Sequence, residues 1–395
     1  MEKKTVALGV TGSIAAYKAA QLCSNLHKKG YDVHVLMTKN ATELIAPLTF
    51  ETLSGNRVSV DTFDRNFEWN VQHVSLAKRA DVFVIAPATA NLIAKIAGGL
   101  CDDMLTTTLL AARCEKIVCP AMNTGMYDNP ATRHNLSVLR ERGVHIVEPA
   151  SGLLACGDTG RGRLAELSDI EAAIEMALSD KPLSGRQVTV TAGGTREPLD
   201  PVRFLSNRST GKMGYALACA ARDMGAAVTL ISANSTLPVP YAVKLCPVET
   251  AAQMYDAVLQ AAQTADIVIK AAAPADYRPA ACAPEKIKKS EGPLSLPLER
   301  TADILSEVCR RKRPGQLVCG FSMETERLIE NSTEKLHKKG CDMIVANSLR
   351  KEGAGFGTDT NVASLITREG VKELPMMSKY ELARQILLML CGMLS

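Results

Sequence analysis

The chain has 395 residues, which at about 100–200 residues per domain predicts two domains, or at most three. Apolar residues make up 46% and charged residues 22% of the chain, a balance that excludes a disordered or fibrous protein. The net charge of +4 is too small to indicate a nucleic-acid partner.

The sequence predicts no membrane segment and a cytoplasmic location. The most apolar stretch, Val82 to Ala94, contains Pro87 and Asn91 and is shorter than the roughly 20 residues that span a bilayer. The N-terminal residues lead directly into a strand pattern, without the apolar region of a signal peptide. The 12 cysteines are scattered without C-x-x-C spacing, which favours reduced thiols over disulfides or a zinc site.

The first half alternates short apolar runs with helical patterns. The predicted strands are Val6–Val10, Val33–Met37, Val82–Ala86, Ile117–Cys119 and His145–Val147. The predicted helices are Ile14–Lys29, Ala90–Ala97, Asp103–Ala112, Pro130–Arg142 and Leu167–Leu178. Continuous apolar strands separated by helices are typical of a parallel, doubly wound α/β sheet.

A second α/β domain follows a segment rich in proline, glycine and charge, so we predict domains 1–181 and 182–395. Its predicted strands are Val188–Thr191, Ala227–Ile231, Ile267–Lys270, Leu317–Gly320 and Met343–Ala346. Its predicted helices are Lys212–Met224, Ala251–Ala262, Asp303–Arg310 and Glu324–Lys339. The segment Ala271–Pro297 reads as a long loop, and a loop of this length in a compact domain is usually functional or disordered.

The loop after the first strand has the composition of an anion site. Gly12 and Ser13 lie at a strand-to-helix turn, where backbone N–H groups at a helix N-terminus can bind phosphate. Thr38, at the end of the second strand, lies at the same sheet edge. The loop is not a G-x-G-x-x-G fingerprint, and a tight turn before a capped helix is the alternative interpretation.

The third strand is followed by small residues with hydroxyl and amide groups, which suit a flat polar ring system. At this point four stretches carry a resemblance: residues 9–20, 86–99, 120–133 and 151–166. They resemble the flavin-dependent cysteine decarboxylases, in particular the decarboxylase half of the bifunctional phosphopantothenoylcysteine decarboxylase/phosphopantothenate–cysteine ligase family. The resemblance implies a flavodoxin/Rossmann-like domain that binds FMN through Gly12, Ser13, Ile14, Thr38, Pro87, Ala88, Thr89 and Thr106.

The resemblance also implies three catalytic residues in this half. His73 matches the active-site histidine, Asn123 the residue that holds the substrate carboxylate, and Cys156 the proton donor. Without the resemblance, His73 would be interpreted as a surface or capping residue, and Asn123 as a turn residue. The glycines around Cys156 indicate a mobile flap. The implied reaction is oxidation by FMN, loss of CO₂, protonation by Cys156 and reduction by the flavin.

The second half contains a glycine turn after its first strand and a Gly-Lys dipeptide at 211–212. Met213 stands where a Walker A motif needs Ser or Thr, which excludes that motif. The polar turn Ser206–Gly211 before a predicted helix still suits a phosphate. A lysine run at 286–289 is either a solvated face or a triphosphate contact, and Thr301 is predicted to cap the next helix.

This half resembles the Rossmann-like ligase half of the same family, through the stretches 193–214, 275–279, 286–289, 303–305, 320–325 and 338–347. The match implies that Asn207 handles an acyl-nucleotide intermediate and that Lys286 binds the triphosphate. The rest of the implied CTP site is Asp276, Thr301, Asp303, Ile304, Phe321, Lys335 and Lys339. Pro274 and Ala302 depart from the family pattern without removing a functional group.

The implied reaction activates the carboxylate of 4′-phosphopantothenate with CTP, after which the amine of cysteine displaces CMP. Mg²⁺ should accompany the triphosphate, but no carboxylate cluster identifies its ligands. The spacing of the residues does not distinguish CTP from ATP.

Two alternatives are a flavin prenyltransferase fused to an NAD(P)-binding module and a regulatory protein without turnover. The first is disfavoured by the presence of His73, Asn123 and Cys156, and by the lack of a dinucleotide fingerprint. The second predicts loss of Cys156 or Lys286, and both are present. The resemblance further implies a homo-oligomer of trimeric flavin units and dimeric ligase domains.

Overall fold

A computed structural model describes residues 3–63, 72–155, 157–288, 294–324, 326–348 and 358–394. The chain divides into two compact units, Met1–Ser179 and Asp180–Ser395. No helix in the described residues is long and apolar enough to cross a membrane.

The first unit runs from β1 to α9. Its elements are β1 Thr5–Val10, α1 Ala16–Lys28, β2 Asp32–Met37, α2 Lys39–Thr42, α3 Pro47–Ser54, α4 Gln72–Arg79, β3 Val82–Ala88, α5 Ala90–Gly98, α6 Met104–Ala111, β4 Glu115–Pro120, α7 Thr124–Asp128, α8 Pro130–Glu141, β5 His145–Ile146, β6 Ala150–Leu153, β7 Thr159–Arg163 and α9 Leu167–Leu178.

Five parallel strands form the sheet of this unit, in the order β2-β1-β3-β4-β5. This is the strand order of flavodoxin-like doubly wound folds, in which ligands bind at the carboxyl ends of the strands beside the β1/β3 switch point. Strands β1 and β3 are buried along their whole length. Full burial of each large aliphatic side chain contributes about 1.5–3 kcal/mol, which explains their continuous apolar sequence.

The second unit runs from β8 to α14. Its elements are β8 Gln187–Gly193, β9 Arg196–Pro198, β10 Phe204–Ser206, α10 Lys212–Asp223, β11 Ala227–Ala233, β12 Lys244–Val248, α11 Ala251–Ala262, β13 Ile267–Lys270, β14 Tyr277–Pro279, β15 Leu298–Arg300, α12 Ile304–Arg311, β16 Leu317–Glu324, α13 Leu328–Lys339, β17 Met343–Ser348, β18 Thr360–Asn361, β19 Ala363–Thr367, β20 Val371–Glu373, β21 Met377–Ser378 and α14 Lys379–Met393.

The main sheet of this unit has the order β12-β11-β8-β13-β16-β17-β19-β20. The strands from β12 to β17 are parallel and repeat the Rossmann order 3-2-1-4-5-6. Helices α10 and α14 pack on one core of buried residues, and α11, α12 and α13 contribute to another. The predicted class, two doubly wound α/β domains, is therefore confirmed.

The sequence-based prediction misses the antiparallel edge of the second sheet. Strand β19 pairs antiparallel with β17, and β20 pairs antiparallel with β19. The short connection between β19 and β20 allows a hairpin but no crossover helix. The predicted bounds of β13, α9 and α11 are confirmed. The predicted start of a helix at Glu324 is wrong, because β16 continues to that residue and α13 begins at Leu328.

Candidate functional site

Hydrogen bonds join the loop after β1 to the end of β3. The hydroxyl of Thr11 donates to the carbonyl oxygen of Pro87 at 2.7 Å and accepts from the backbone N–H of Thr89 at 3.1 Å. Thr11 is only 1% exposed. The neighbouring Gly12 lies so close to α2 that a Cβ would be 2.6 Å from the Cβ of Asn40, so only glycine fits there.

Helix N-termini converge beside this loop at the carboxyl edge of the sheet. Thr38 caps α2 by accepting from the N–H of Ala41 at 3.3 Å, and Thr89 caps α5 by accepting from the N–H of Leu92 at 3.4 Å. Helix N-termini carry unpaired N–H groups and a partial positive charge, so this edge favours an anionic ligand such as a phosphate.

Two cavities of about 500 and 610 Å³ open at this edge. Both are lined by Gly12, Thr89 and Met126. Five residues of the implied FMN site line one or both cavities: Gly12, Ser13, Ile14, Thr38 and Thr89. The residues present therefore fit a phosphorylated planar ligand: they offer helix N-termini for the phosphate and a cavity lined largely by apolar atoms.

The other three residues of the implied FMN site lie outside the described lining of these two cavities. Pro87 and Ala88 belong to the buried end of β3, and Pro87 orients the Thr11 hydroxyl through its carbonyl oxygen. The hydroxyl of Thr106 is engaged with the carboxylate of Asp103, at 2.8 Å, in the capping box of α6. Thr106 lines a smaller cavity of about 180 Å³ with Cys101. Flavin contacts by these three residues remain predictions.

Asn123 lines the 500 Å³ cavity and is also the N-cap of α7. Its Oδ1 accepts from the N–H of Gly125 at 2.8 Å, and its Nδ2 donates to the Asp158 carboxylate at 3.0 Å. The turn-residue interpretation of Asn123 is thus correct, and the position at the cavity is compatible with the implied role. The Nδ2 group carries two N–H donors and is the part of Asn123 that could bind a substrate carboxylate.

The hairpin β6–β7 lies against the Asn123 loop through glycines. Gly162 has φ +144°, and a Cβ there would overlap the carbonyl oxygen of Met122. A Cβ at Gly160 would lie 2.7 Å from the hydroxyl of Thr124. These glycines therefore permit a close backbone approach, which the sequence pattern did not reveal. Cys156, predicted as the proton donor in this hairpin, lies outside the described residues.

His73 lies in the first turn of α4 and is half-buried. It is not among the described residues that line the two cavities. The active-site role that the resemblance implies for His73 remains a prediction.

In the second unit, a cavity of about 500 Å³ opens beside the carboxyl ends of β13 and β16. It brings together seven residues of the implied nucleotide site from four separate segments: Asp276, Thr301, Asp303, Ile304, Phe321, Lys335 and Lys339. Lys335 and Lys339 lie on one face of α13, as their spacing of four residues predicts. Lys270, which no sequence motif indicated, also lines the cavity.

Asp303 caps the N-terminus of α12 and forms an ion pair with Lys339 of α13. It is the N-cap, accepting from the N–H of Ser306 at 3.0 Å, and its other oxygen accepts a hydrogen bond from Lys339. Partial burial raises the pKa of Asp303, but the hydrogen bonds from Lys339 and Ser306 outweigh it and lower the pKa below its usual value. The predicted cap, Thr301, is wrong because its hydroxyl donates instead to the carbonyl oxygen of Ala275 at 2.6 Å.

A second cavity, of about 410 Å³, adjoins the first and shares Asp276, Phe321 and Lys335 with it. It is lined by the turn before α10 and by Asn207. The Asn207 amide donates to the carbonyl oxygens of Ala273 at 2.9 Å and Pro274 at 3.2 Å. The predicted phosphate turn therefore lies at a cavity next to the nucleotide residues.

Lys286 is exposed and lies outside the described lining of both cavities. Its neighbour Ile287 donates its N–H to the Asp200 carboxylate at 3.2 Å and accepts from Arg203 at 2.8 Å. The hydrogen bonds from Arg203 to Asp200 hold the pKa of that carboxyl well below its usual range. The triphosphate contact of Lys286 remains a prediction.

No group of three or more His, Cys, Asp or Glu side chains within the described ranges could hold a metal ion. Asp276 and Asp303 are the described carboxylates that line the nucleotide cavity. The donor set therefore fits a magnesium ion that is bound chiefly by triphosphate oxygens, as is usual for this cation.

Known proteins match the chain over nearly its whole length. Residues 1–179 match the family model described as Flavoprotein, and residues 183–393 match the model described as DNA/pantothenate metabolism flavoprotein C-terminal domain. The coenzyme A biosynthesis bifunctional protein CoaBC of Bacillus subtilis (strain 168) is 46% identical over 392 residues, covering 98% of this chain and 96% of that protein.

The protein of the same name from Escherichia coli (strain K12) is 43% identical over 389 residues, which are 98% of this chain and 96% of that protein. A solved structure of the C-terminal domain of CoaBC is 41% identical, covers 54% of this chain and 98% of its own, and has a TM-score of 0.47. The match to full-length relatives confirms the resemblance that the sequence motifs indicate. The chain belongs to the CoaBC family of coenzyme A biosynthesis bifunctional proteins.

Proposed function

We propose that this chain catalyses two consecutive steps of coenzyme A biosynthesis. The second domain ligates 4′-phosphopantothenate to cysteine with CTP, through an acyl-cytidylate. The first domain, with FMN, decarboxylates the product to 4′-phosphopantetheine. The observation that carries the proposal is the identity of 46% to a CoaBC protein over 98% of the chain. The clustering of seven implied nucleotide residues around one cavity supports it.

In the first domain, the N-termini of α2 and α5 and the loop at Gly12 would bind the FMN phosphate. Bound FMN supplies hydride acceptance and hydride return. Asn123 would hold the substrate carboxylate by donating hydrogen bonds, which leaves the group charged and able to depart as CO₂. Cys156 would donate a proton to the product-forming carbon, and His73 completes the proposed catalytic set.

In the second domain, Lys335 and Lys339 would neutralise phosphate charge, and Asn207 would contact the activated carboxylate from the adjoining cavity. Lys286 would bind the triphosphate, with Mg²⁺ carried on its oxygens. The cysteine amine then attacks the acyl carbon and CMP leaves. The proposal includes a cytoplasmic homo-oligomer of trimeric flavin units and dimeric ligase domains, which analytical ultracentrifugation tests.

One incubation tests both activities. Purified protein, with its visible spectrum recorded, is given CTP, Mg²⁺, cysteine and 4′-phosphopantothenate, and the products are identified by mass spectrometry. We expect a flavin band, 4′-phosphopantetheine, CMP and pyrophosphate. Phosphopantothenoylcysteine alone would support the ligase and contradict the decarboxylase, provided that FMN had been added back. Absence of any product with CTP or with ATP would contradict both and favour a regulatory protein.

A further inference from the structure

Lys270 is a buried cation at the floor of the nucleotide cavity. It is the last residue of β13, where its backbone is in register with Thr191 on one side and Gly320 on the other. The residue is only 6% exposed and lines the 500 Å³ cavity. Because the strand is paired on both sides, the backbone of Lys270 is held in place, and the amine can move only as far as its side chain allows.

Within the described residues, the ammonium group of Lys270 has no oxygen acceptor. The ammonium group instead contacts the sulfur of Met254, at 4.0 Å, and a thioether is a weak acceptor. The other lysines of the cavity are engaged: Lys335 donates to the carbonyl oxygen of Phe321 at 2.9 Å, and Lys339 pairs with Asp303. Lys270 is therefore a desolvated positive charge that faces an open cavity.

A buried ammonium without a partner is unfavourable for folding. The pKa of Lys270 is lowered to about 8, chiefly because the amine is buried; the charge of Asp303 opposes this shift and that of Lys335 adds to it. The titratable and charged groups around the cavity are Asp276, Tyr277, Arg300, Asp303, Lys335 and Lys339. An oxyanion in the cavity would supply the acceptor that Lys270 lacks and would return its pKa toward the ordinary value.

We propose that Lys270 is an additional nucleotide-binding residue, whose ammonium donates a charge-assisted hydrogen bond to a phosphate oxygen of the bound CTP. This inference rests on the proposed function, which places CTP in the cavity that Lys270 lines. The carboxylate of 4′-phosphopantothenate offers similar chemistry. However, the proposed function assigns that substrate to the adjoining cavity, whose described lining does not include Lys270.

Isothermal titration of the full-length protein with CTP and Mg²⁺ tests the proposal. We expect Lys270→Met to weaken CTP binding about ten- to a hundredfold at pH 7, the range for a lost hydrogen bond to a charged group. Lys270→Arg keeps the charge and should recover part of the affinity. The matched control is Lys372→Met, which removes an exposed lysine on β20 and should bind CTP like the unmodified protein.

A second titration, with 4′-phosphopantothenate alone, separates the two possible oxyanions. An unchanged CTP affinity in Lys270→Met would overturn the proposal, as would a loss confined to 4′-phosphopantothenate. If the unmodified protein binds no CTP, the proposed ligase function fails instead, so the two failures are distinguishable. Lys270→Met should also melt at the same or a higher temperature without ligand, because it removes an unpaired buried charge.

Proton uptake in the unmodified protein gives a readout that does not depend on the folding of a variant. Because the pKa of Lys270 is lowered to about 8, its amine is partly neutral in the free protein at pH 8.5, so binding of CTP should be accompanied by proton uptake. The uptake is measured by titration in two buffers of different ionisation enthalpy. No uptake at this pH would overturn the proposal, and uptake that persists in Lys270→Met would assign the proton to another group.

Discussion

Thr11 and Thr89 are 78 residues apart in the sequence, yet the side chain of Thr11 is hydrogen-bonded to the backbone of Thr89. The Thr11 hydroxyl accepts from the Thr89 N–H and donates to the Pro87 carbonyl, so one buried group joins two of the loops that surround the proposed flavin site. Thr89 in turn caps α5. The position of this helix N-terminus therefore depends on a hydroxyl in the first loop.

Thr11→Val should weaken flavin retention about tenfold or more, because it leaves the Pro87 carbonyl and the Thr89 N–H without their partner. Thr11→Ser keeps the hydroxyl and is the control. The measurement is the ratio of flavin to protein absorbance after dialysis against increasing volumes of buffer. Equal retention by Thr11→Val and Thr11→Ser would contradict the role of this hydroxyl.

Asn123→Asp should lower decarboxylation of supplied phosphopantothenoylcysteine about ten- to a hundredfold, since it replaces an amide donor by a carboxylate that repels the substrate carboxylate. Asp is as good an N-cap as Asn, but the new carboxylate would lie beside Asp158, to which the Asn123 amide donates at 3.0 Å, so the melting temperature is measured together with the rate. Asn129→Asp makes the same change at the N-cap of α8 and is the matched control. Release of CO₂ is measured, and equal rates in the two variants would exclude Asn123 from the reaction.

Cys156→Ser should stall the first domain after decarboxylation, because a serine hydroxyl is a much weaker acid than a thiol. An oxidised, decarboxylated product, two hydrogens short of phosphopantetheine, should accumulate and be seen by mass spectrometry. Cys101→Ser, at an exposed cysteine of the same unit, should turn over normally. Normal output of phosphopantetheine from Cys156→Ser would contradict its assignment as the proton donor.

Lys286→Gln should abolish release of pyrophosphate from CTP while leaving the decarboxylation of supplied phosphopantothenoylcysteine intact. The reason is that the proposed triphosphate contact lies in the second domain only. Lys244→Gln, at another exposed lysine of that unit, is the control. If Lys286→Gln lost both activities, misfolding would explain the result; if it kept both, the triphosphate role would be refuted.

The ion pair between Asp303 and Lys339 should make the second unit less stable in acid. Since the pKa of Asp303 is lowered in the folded state, the pair stabilises the fold above the ordinary pKa of the carboxyl. That stability is lost as the pH falls through the lowered pKa. Between about pH 5 and 3, the unmodified protein should lose more thermal stability than Asp303→Asn, which keeps the cap and lacks the charge.

Melting curves of the two proteins at each pH provide the measurement. The difference between them should be small and should shrink in high salt, because Asp303 is about half exposed and its charge is screened. If the melting temperatures of the two proteins changed equally with pH, the ion pair would contribute no stability in solution.

The alternation of strands and helices was predictable because it is a local property. Strands buried on both faces need continuous apolar runs such as Val6–Val10, and amphipathic helices need a period near 3.6 residues. The pattern predicted Thr301 as the cap of a helix that begins at Asp303, because either residue can accept a hydrogen bond from a helix N-terminus. Only the structure shows that the Thr301 hydroxyl turns to Ala275 and leaves the cap to Asp303.

The sequence by itself determined two α/β domains, the loops that resemble a flavin site and the residues that resemble a nucleotide site. Each of these features can be recognised in short stretches of sequence. The tertiary structure alone decided the antiparallel edge at β19 and β20, the role of Thr11 and the position of Lys270. A lysine at a strand end has no local pattern that distinguishes a solvated side chain from a buried one. Its surroundings come from distant parts of the chain: its amine contacts Met254 of α11, and residues of α12 and α13 line the same cavity.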